Sequence, residues 1–308
     1  MIFDTIILGS GPAGFSASIY AGRAGLLCLQ LSGPEEGGKL TLTDKIENYP
    51  GVGTVTGFEL INTLKAQALE TGITYKNESA IQVNFNKYPF EIKTENEFYS
   101  TKTLIIAMGS RVNWLNIPSE EKFKGRGISV CATCDGFFYK NKDVAVIGGG
   151  NTALYESLHL AQTSKRVTII CKDSFLNGER ILLDKVKNTP NIQILNNSAV
   201  VEFIGTNKLT HLKLHQTPPE RDFLLPVDGC FEAIGFSPSS QLFQNKLDIN
   251  AKGYIKTNCQ TFETNIEGVY ACGDIQEQHY RQAIIASGSG ALASLSAIEF
   301  LTHTNLSQ

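Results

Sequence analysis

Charge is scarce in this chain. Only 19% of its 308 residues are Asp, Glu, Lys or Arg, below the roughly one quarter usual for globular proteins, which points to large buried surfaces. Positive charge is not in excess either, with 27 Lys and Arg against 30 Asp and Glu and a net charge of -3. The absence of a general basic footprint argues against nucleic acid as a partner. No apolar run is read as approaching the roughly 20 residues of a membrane span. The N-terminus has no basic n-region and carries Asp4 inside its apolar run, so it reads as a strand and not as a signal peptide. Histidines number five and are dispersed, so a four-ligand zinc site is not expected, and no metal is assigned. Seven cysteines are an odd number, and five stand singly at Cys28, Cys171, Cys230, Cys259 and Cys272. That scatter gives no disulfide framework; it favours a reducing, cytoplasmic setting with the lone cysteines as buried small hydrophobes.

The features present are organised around glycine. An apolar run, Thr5-Ile6-Ile7-Leu8, feeds Gly9-Ser10-Gly11-Pro12-Ala13-Gly14 and then a helical stretch from Phe15 to about Ala24. Strand, turn and helix in that order form a dinucleotide fingerprint: the first glycine allows the tight turn, the second the close approach of a pyrophosphate, the third helix-on-strand packing. The pattern returns after Asp143-Val144-Ala145-Val146-Ile147, as Gly148-Gly149-Gly150-Asn151-Thr152-Ala153, with a helix expected to Ala161. Two dinucleotide modules suit the length, for which about two domains are expected.

Thirteen residues ahead of that second turn ends the pentapeptide Cys131-Ala132-Thr133-Cys134-Asp135. Two thiols at this spacing can close a small disulfide, one can have its pKa lowered to attack as thiolate, and Asp135 can carry the proton that dithiol chemistry needs. Half a zinc site or two unrelated core thiols remain alternatives at this point.

The combination resembles the low-molecular-weight thioredoxin reductases, FAD-dependent class II pyridine nucleotide-disulfide oxidoreductases, over nearly the whole chain. The matching residues are the two glycine turns; Gly37-Gly38 with Glu47-Asn48-Tyr49-Pro50-Gly51; Cys131 to Gly136; Ala233-Ile234-Gly235; and Gly273-Asp274 with Tyr280-Arg281-Gln282-Ala283. The resemblance implies an α/β fold of two Rossmann-like three-layer domains, the second inserted in the first. The FAD domain would comprise 1–112 and 241–308, and the nucleotide-binding-like domain 113–240. Turn-rich stretches at 110–116 and 236–240 suit paired hinges. FAD would lie along Gly9, Ser10, Gly11, Pro12, Ala13 and Gly14, with Ser32, Gly37, Gly38, Lys39 and Asn48 beside it. Asp274 of Gly273-Asp274 would hold the ribityl or pyrophosphate region, and Arg281, Gln282 and Ala283 would border the flavin ring. A helix N-cap is the plain alternative for Asp274. Lys39 stands where the family usually has Gln, which puts a cation near the flavin. The family's assignment makes Cys134 the flavin-facing sulfur, Cys131 the thiol that exchanges with a thioredoxin-like partner, and Asp135 the acid. It also implies a homodimer.

The electron donor is where the chain departs from that family. NADPH-dependent members end the strand after the second turn in His-Arg-Arg with a further Arg downstream, cations that bind the 2′-phosphate. Here the strand Arg166-Val167-Thr168-Ile169-Ile170 ends in Cys171-Lys172-Asp173, and Asn177 takes the downstream place. Gly148, Gly150, Asn151 and Thr152 remain as a nucleotide turn, but an acid such as Asp173 suits a 2′-hydroxyl and repels a phosphate. NADH, ferredoxin or a second flavin are the donors left open beside NADPH, with Arg180 as a possible replacement cation and with Lys172 and Asp173 as plain solvated turn residues in the alternative reading. A flavin-dependent dithiol oxidase using oxygen would run the relay backwards. A ferredoxin–NADP reductase or a nucleotide-sensing module would not need the CxxC pair.

Overall fold

A computed structural model describes residues 1–306 apart from 44, 45, 278 and 279. It divides into two compact units, Met1–Arg111 with Ser237–Gln308, and Val112–Phe236 between them. The chain opens with β1 (Ile2–Leu8), α1 (Pro12–Arg23), β2 (Cys28–Leu31), α2 (Gly57–Glu70) and β3 (Thr74–Lys76), followed by β4 (Ala80–Asn84), β5 (Phe90–Thr94) and β6 (Phe98–Ile106). It then passes through β7 (Ser110–Val112) into the second unit. There it runs through β8 (Ile128–Ser129), α3 (Ala132–Asp135), β9 (Asp143–Ile147), α4 (Asn151–Ala161), β10 (Arg166–Ile170), α5 (Arg180–Lys187) and β11 (Ile192–Leu195). An antiparallel trio, β12 (Ser198–Gly205), β13 (Leu209–Gln216) and β14 (Arg221–Pro226), precedes β15 (Gly229–Glu232). The return leads through β16 (Phe236–Pro238) to β17 (Val269–Ala271) and α6 (Ala283–Leu306).

In the first unit the sheet order is β3-β2-β1-β6-β5-β4, with β17 also on β6. Strands β3, β2, β1, β6 and β17 pair in parallel, while β5 and β4 turn antiparallel. Parallel strands are covered on both faces, so β1 and β2 are apolar without alternation, and Ile6, Ile7, Leu8, Leu29 and Leu31 are buried. The second unit repeats the scheme as β11-β10-β9-β15-β8, all parallel. Both fingerprint strands thus lie between two parallel neighbours. Their helices begin earlier than the sequence pattern predicts, at Pro12 and Asn151, because each starts directly from its glycine turn. The stretches expected as turn-rich hinges contain the short strands β7 and β16, which pair as a two-stranded ribbon where the chain passes between units.

Two expectations need correction. The stretch Ala283–His303 of α6 is long and apolar enough to cross a membrane by length and composition, with mean hydropathy 1.5. Ala, Gly and Ser interrupt its Ile and Leu residues, so no continuous apolar run marks it in the sequence. Those small residues pack α6 against α1: a Cβ at Gly290 would lie 2.0 Å from the Ala13 carbonyl oxygen, and Ala293 and Ala297 are buried. Among the lone cysteines, Cys28, Cys171, Cys230 and Cys272 are buried as expected of small hydrophobes, but Cys259 is exposed.

The second unit also buries two acids. Glu120 and Glu232 are 3% and 1% exposed. The Leu115 amide donates to both, at 2.9 and 3.2 Å, and Glu120 also accepts from the Asn116 amide. Burial and the facing Glu120 carboxyl push Glu232 up to about 8. The folded protein therefore binds a proton there that the unfolded chain releases at its ordinary 4.5. That contribution to stability is complete below pH 4.5 and is lost as pH rises through the raised pKa of the folded state. Glu232→Gln, neutral at every pH, is expected to flatten this decline in urea-unfolding midpoints measured from pH 5 to 9. Equal slopes in both proteins would contradict it.

Candidate functional site

The first glycine turn is shaped by two contacts that leave no room for side chains. Gly9, at φ +113°, would place a Cβ 2.3 Å from the Ala107 carbonyl oxygen, and Gly14 would place one 2.1 Å from the Gly9 carbonyl oxygen. Gly11 differs, since a Cβ there meets only the Gly37 carbonyl oxygen at 4.0 Å. The space above Gly11 is therefore not taken by the protein. Helix α1 starts at this point with Pro12 at its first position and no side-chain cap, so its first amides face that space. A cradle left open at the uncapped start of a helix fits a pyrophosphate.

Of the residues expected around this cradle, some are joined to the glycine turn and others to one another. The Ser10 hydroxyl donates to the Ser32 carbonyl at 2.9 Å and accepts from the Gly37 amide at 2.9 Å, tying the turn to the loop after β2. The Ser32 hydroxyl bonds Asn77 at 2.7 Å. Gly38 and Lys39 open the 3-10 turn Gly38–Leu42. The Lys39 ammonium is 2.5 Å from an Asp274 carboxylate oxygen and 2.8 Å from the Ser110 hydroxyl. Asp274 lies inside the 3-10 turn Gly273–Ile275, whose N-cap is Cys272, so the N-cap alternative for Asp274 fails. Gly273 brings this turn against α1, where a Cβ would stand 2.9 Å from that of Ala13. Asn48 donates to Gln282 at 3.3 Å, Arg281 donates to the Tyr254 hydroxyl at 2.8 Å, and Ala283 begins α6. Tyr75 was not anticipated from sequence. Its buried hydroxyl has no hydrogen bond of normal geometry, although it faces Glu36, Ser10 and Ser32.

In the second unit Cys131 and Cys134 are joined as a disulfide. Cys131 is the N-cap of α3, and its sulfur accepts from the Cys134 amide at 3.2 Å. The Thr133 hydroxyl lies 3.3 Å from the same sulfur. Asp135 accepts from the Ser129 hydroxyl at 2.5 Å, and Ser129 in turn accepts from the Cys131 amide. The acid is thus anchored beside the disulfide by a residue that sequence reasoning passed over. Among the described residues no group of three His, Cys, Asp or Glu side chains is arranged to hold a metal.

The second glycine turn mirrors the first. Gly148, at φ +141°, would place a Cβ 2.6 Å from the Ala233 carbonyl oxygen, whereas at Gly150 the nearest atom is the Asn177 carbonyl oxygen at 3.8 Å. Helix α4 likewise starts without a side-chain cap. The Asn177 amide donates to the Gly149 carbonyl at 2.7 Å, and Asn151 exchanges hydrogen bonds with Glu179, so the loop after β10 is fastened to the turn. Thr152 sits in the first turn of α4. Lys172 and Asp173 are exposed on that loop, while Cys171 is buried beneath it. Arg180, 95% exposed, is 4.0 Å from Asp184.

These two kinds of glycine separate experimentally. Gly11→Val is expected to yield a folded but colourless protein, its melting temperature within about 4 °C of the wild-type apoprotein, because the side chain enters ligand space. Gly9→Ala meets backbone and is expected to lower the apoprotein's melting temperature well beyond that. Flavin absorbance of purified Gly11→Val at the wild-type level would contradict the assignment.

Comparison with known proteins agrees with this geometry. Residues 3–290 match the family described as pyridine nucleotide-disulphide oxidoreductase. The chain is similar to thioredoxin reductase of Rickettsia conorii, with 40% identity over 302 residues, 96% of this chain and 97% of the relative. It is also similar to thioredoxin reductase of Buchnera aphidicola subsp. Schizaphis graminum, with 42% identity and 96% of each chain covered. Among solved structures, thioredoxin reductase from Streptococcus pyogenes superposes with a TM-score of 0.93 at 30% identity, covering 98% of this chain and 99% of its own. The uncapped helix at an open glycine cradle, the anchored disulfide and these likenesses lead to one conclusion: the chain belongs to the pyridine nucleotide-disulphide oxidoreductases, as a FAD-dependent disulfide reductase of the thioredoxin reductase type.

Proposed function

We propose that the chain passes electrons from NADH, through FAD held in the first unit, to the Cys131–Cys134 disulfide and on to the disulfide of a thioredoxin-like protein. The observation that carries the partner half is the placement of Cys131, whose sulfur receives the Cys134 amide and lies beside the Thr133 hydroxyl. Such donors favour thiolate on Cys131. FAD, when bound, supplies a two-electron store between a hydride donor and a disulfide. Ser10, Gly11, Gly37, Gly38 and Asp274 would hold it at the start of α1, with Lys39 compensating the charge of Asp274. Arg281, Gln282 and Ala283 would border its ring.

In the exchange step the Cys131 thiolate attacks one sulfur of the partner's disulfide, forming a mixed disulfide and expelling the other sulfur as thiolate. Asp135 delivers the proton to that leaving group, its carboxyl oriented by Ser129. Cys134, giving its proton back to Asp135, then attacks the Cys131 sulfur, re-forming the internal disulfide and releasing the partner's second sulfur. By the family's assignment Cys134 would be the flavin-facing sulfur. Since the inserted unit carries both the dithiol and the nucleotide turn, serving the flavin with each in turn would need that unit to rotate. Four buried unpaired cysteines suit the cytoplasm, and the exposed Ile284, Ile285, Leu292 and Leu295 of α6 suit a homodimer face.

The donor assignment rests on Lys172, Asp173 and Asn177. A 2′-phosphate finds one cation and one repelling carboxylate there. Each charge-assisted hydrogen bond lost is worth about 1.5–3 kcal/mol, so two weaken NADPH binding by roughly 10²–10⁴-fold. Anaerobic titrations followed by flavin absorbance are expected to show bleaching at far lower NADH than NADPH, with Asp173→Arg/Asn177→Arg reversing the order. Productive NADPH reduction of the unmodified protein would overturn the assignment and direct attention to Arg180. Bleaching by reduced ferredoxin or a second flavin alone would overturn it differently, leaving the second turn without a nucleotide.

A further inference from the structure

Helix α4 does more than close the second glycine turn. Glu156, on its second turn, accepts the backbone N–H of Ala132, the residue that follows Cys131. A carboxylate from the nucleotide-turn helix therefore holds the turn that carries the dithiol. We propose that Glu156 is a positioning residue that fixes this turn and keeps the Cys131–Cys134 pair strongly reducing, an inference that rests on reading the pair as the exchange dithiol.

The argument is one of charge. The disulfide takes up two electrons and two protons to become a dithiol, and any group that stabilises a thiolate also stabilises the reduced form and makes the pair more oxidising. The Cys134 amide and the Thr133 hydroxyl act in that direction on Cys131. Glu156 acts against it in two ways: it occupies the Ala132 amide, the neighbouring donor on the same turn, and it adds a negative charge there. Asp135, held by Ser129 two residues before Cys131, adds a second carboxyl. Tyr139 and His159 also lie against this segment. Tyr139 is pushed up to about 12 by burial and by Asp135, so it stays neutral. The His159 ring lies 3.7 Å from where a Cβ on Gly136 would stand. A thiolate raised in energy by the Glu156 carboxylate is the stronger nucleophile and leaves the dithiol the better reductant.

The test uses the holoenzyme equilibrated anaerobically in dithiothreitol redox buffers, with alkylation and mass spectrometry of the peptide bearing Cys131 and Cys134. Glu156→Gln keeps an acceptor but removes the charge; it is expected to shift the equilibrium about tenfold toward the dithiol, about 30 mV more positive. In a Cys134→Ser background the same change is expected to move the pH midpoint of Cys131 alkylation downward. Glu156→Ala, which also frees the amide, is expected to shift the equilibrium at least as far. Shifts under twofold in both variants, with an unchanged alkylation profile, would overturn the role of Glu156 while leaving the dithiol reading intact. A wild-type pair that stays oxidised in every buffer and also after full reduction of the flavin by dithionite would overturn the dithiol reading itself, and this inference with it.

Discussion

Everything the first unit does depends on how closely backbone approaches backbone at the end of β1. The Gly9 turn packs on Ala107, Gly14 packs on Gly9, and Gly273 and Gly290 bring two further segments onto Ala13. Side chains at these places would push α1 away from the sheet. Their absence lets the helix begin immediately after the strand, with uncapped amides over the open space at Gly11. The same geometry serves structure and ligand: glycines with contacts at 2.0–2.9 Å from a notional Cβ build the fold, and the one with clear space leaves room for phosphate.

The second unit repeats this turn and puts acid–base and thiol chemistry next to it. Ser129 aims Asp135, Cys131 caps the short helix that follows, and Glu156 reaches over from α4. Hydrogen bonds that favour a thiolate and carboxylates that oppose it meet on one turn of chain. Such opposition lets a dithiol be nucleophilic without becoming a strong oxidant. The buried Glu120–Glu232 pair is a separate electrostatic feature, placed where the chain leaves β15 and where the Leu115 amide is held.

Strongly periodic and locally encoded features were legible in the sequence. The strands Asp143–Ile147 and Arg166–Ile170 have the expected bounds because buried parallel strands are continuous apolar runs. Both glycine turns carry their conformational demands in the residues themselves. What could not be read depends on contacts between distant residues. Nothing in the spacing of Glu156 announces that it meets Ala132, twenty-four residues earlier. The Lys39–Asp274 pair joins segments 235 residues apart, and the Tyr75 hydroxyl faces Ser10 only because β3 lies beside β2. Helix α6 is hidden in the sequence for a related reason: small residues that dilute an apolar run are the ones that let α6 pack closely on α1.

Electron counting tests the central claim most directly, that one flavin and one dithiol in the same chain form a relay. In anaerobic reductive titration the wild-type holoenzyme should take up about two electron pairs per chain, one for each two-electron centre. Cys134→Ser, with its flavin retained, should take up about one. Uptake of two pairs by Cys134→Ser, or of only one by the wild type, would contradict the account.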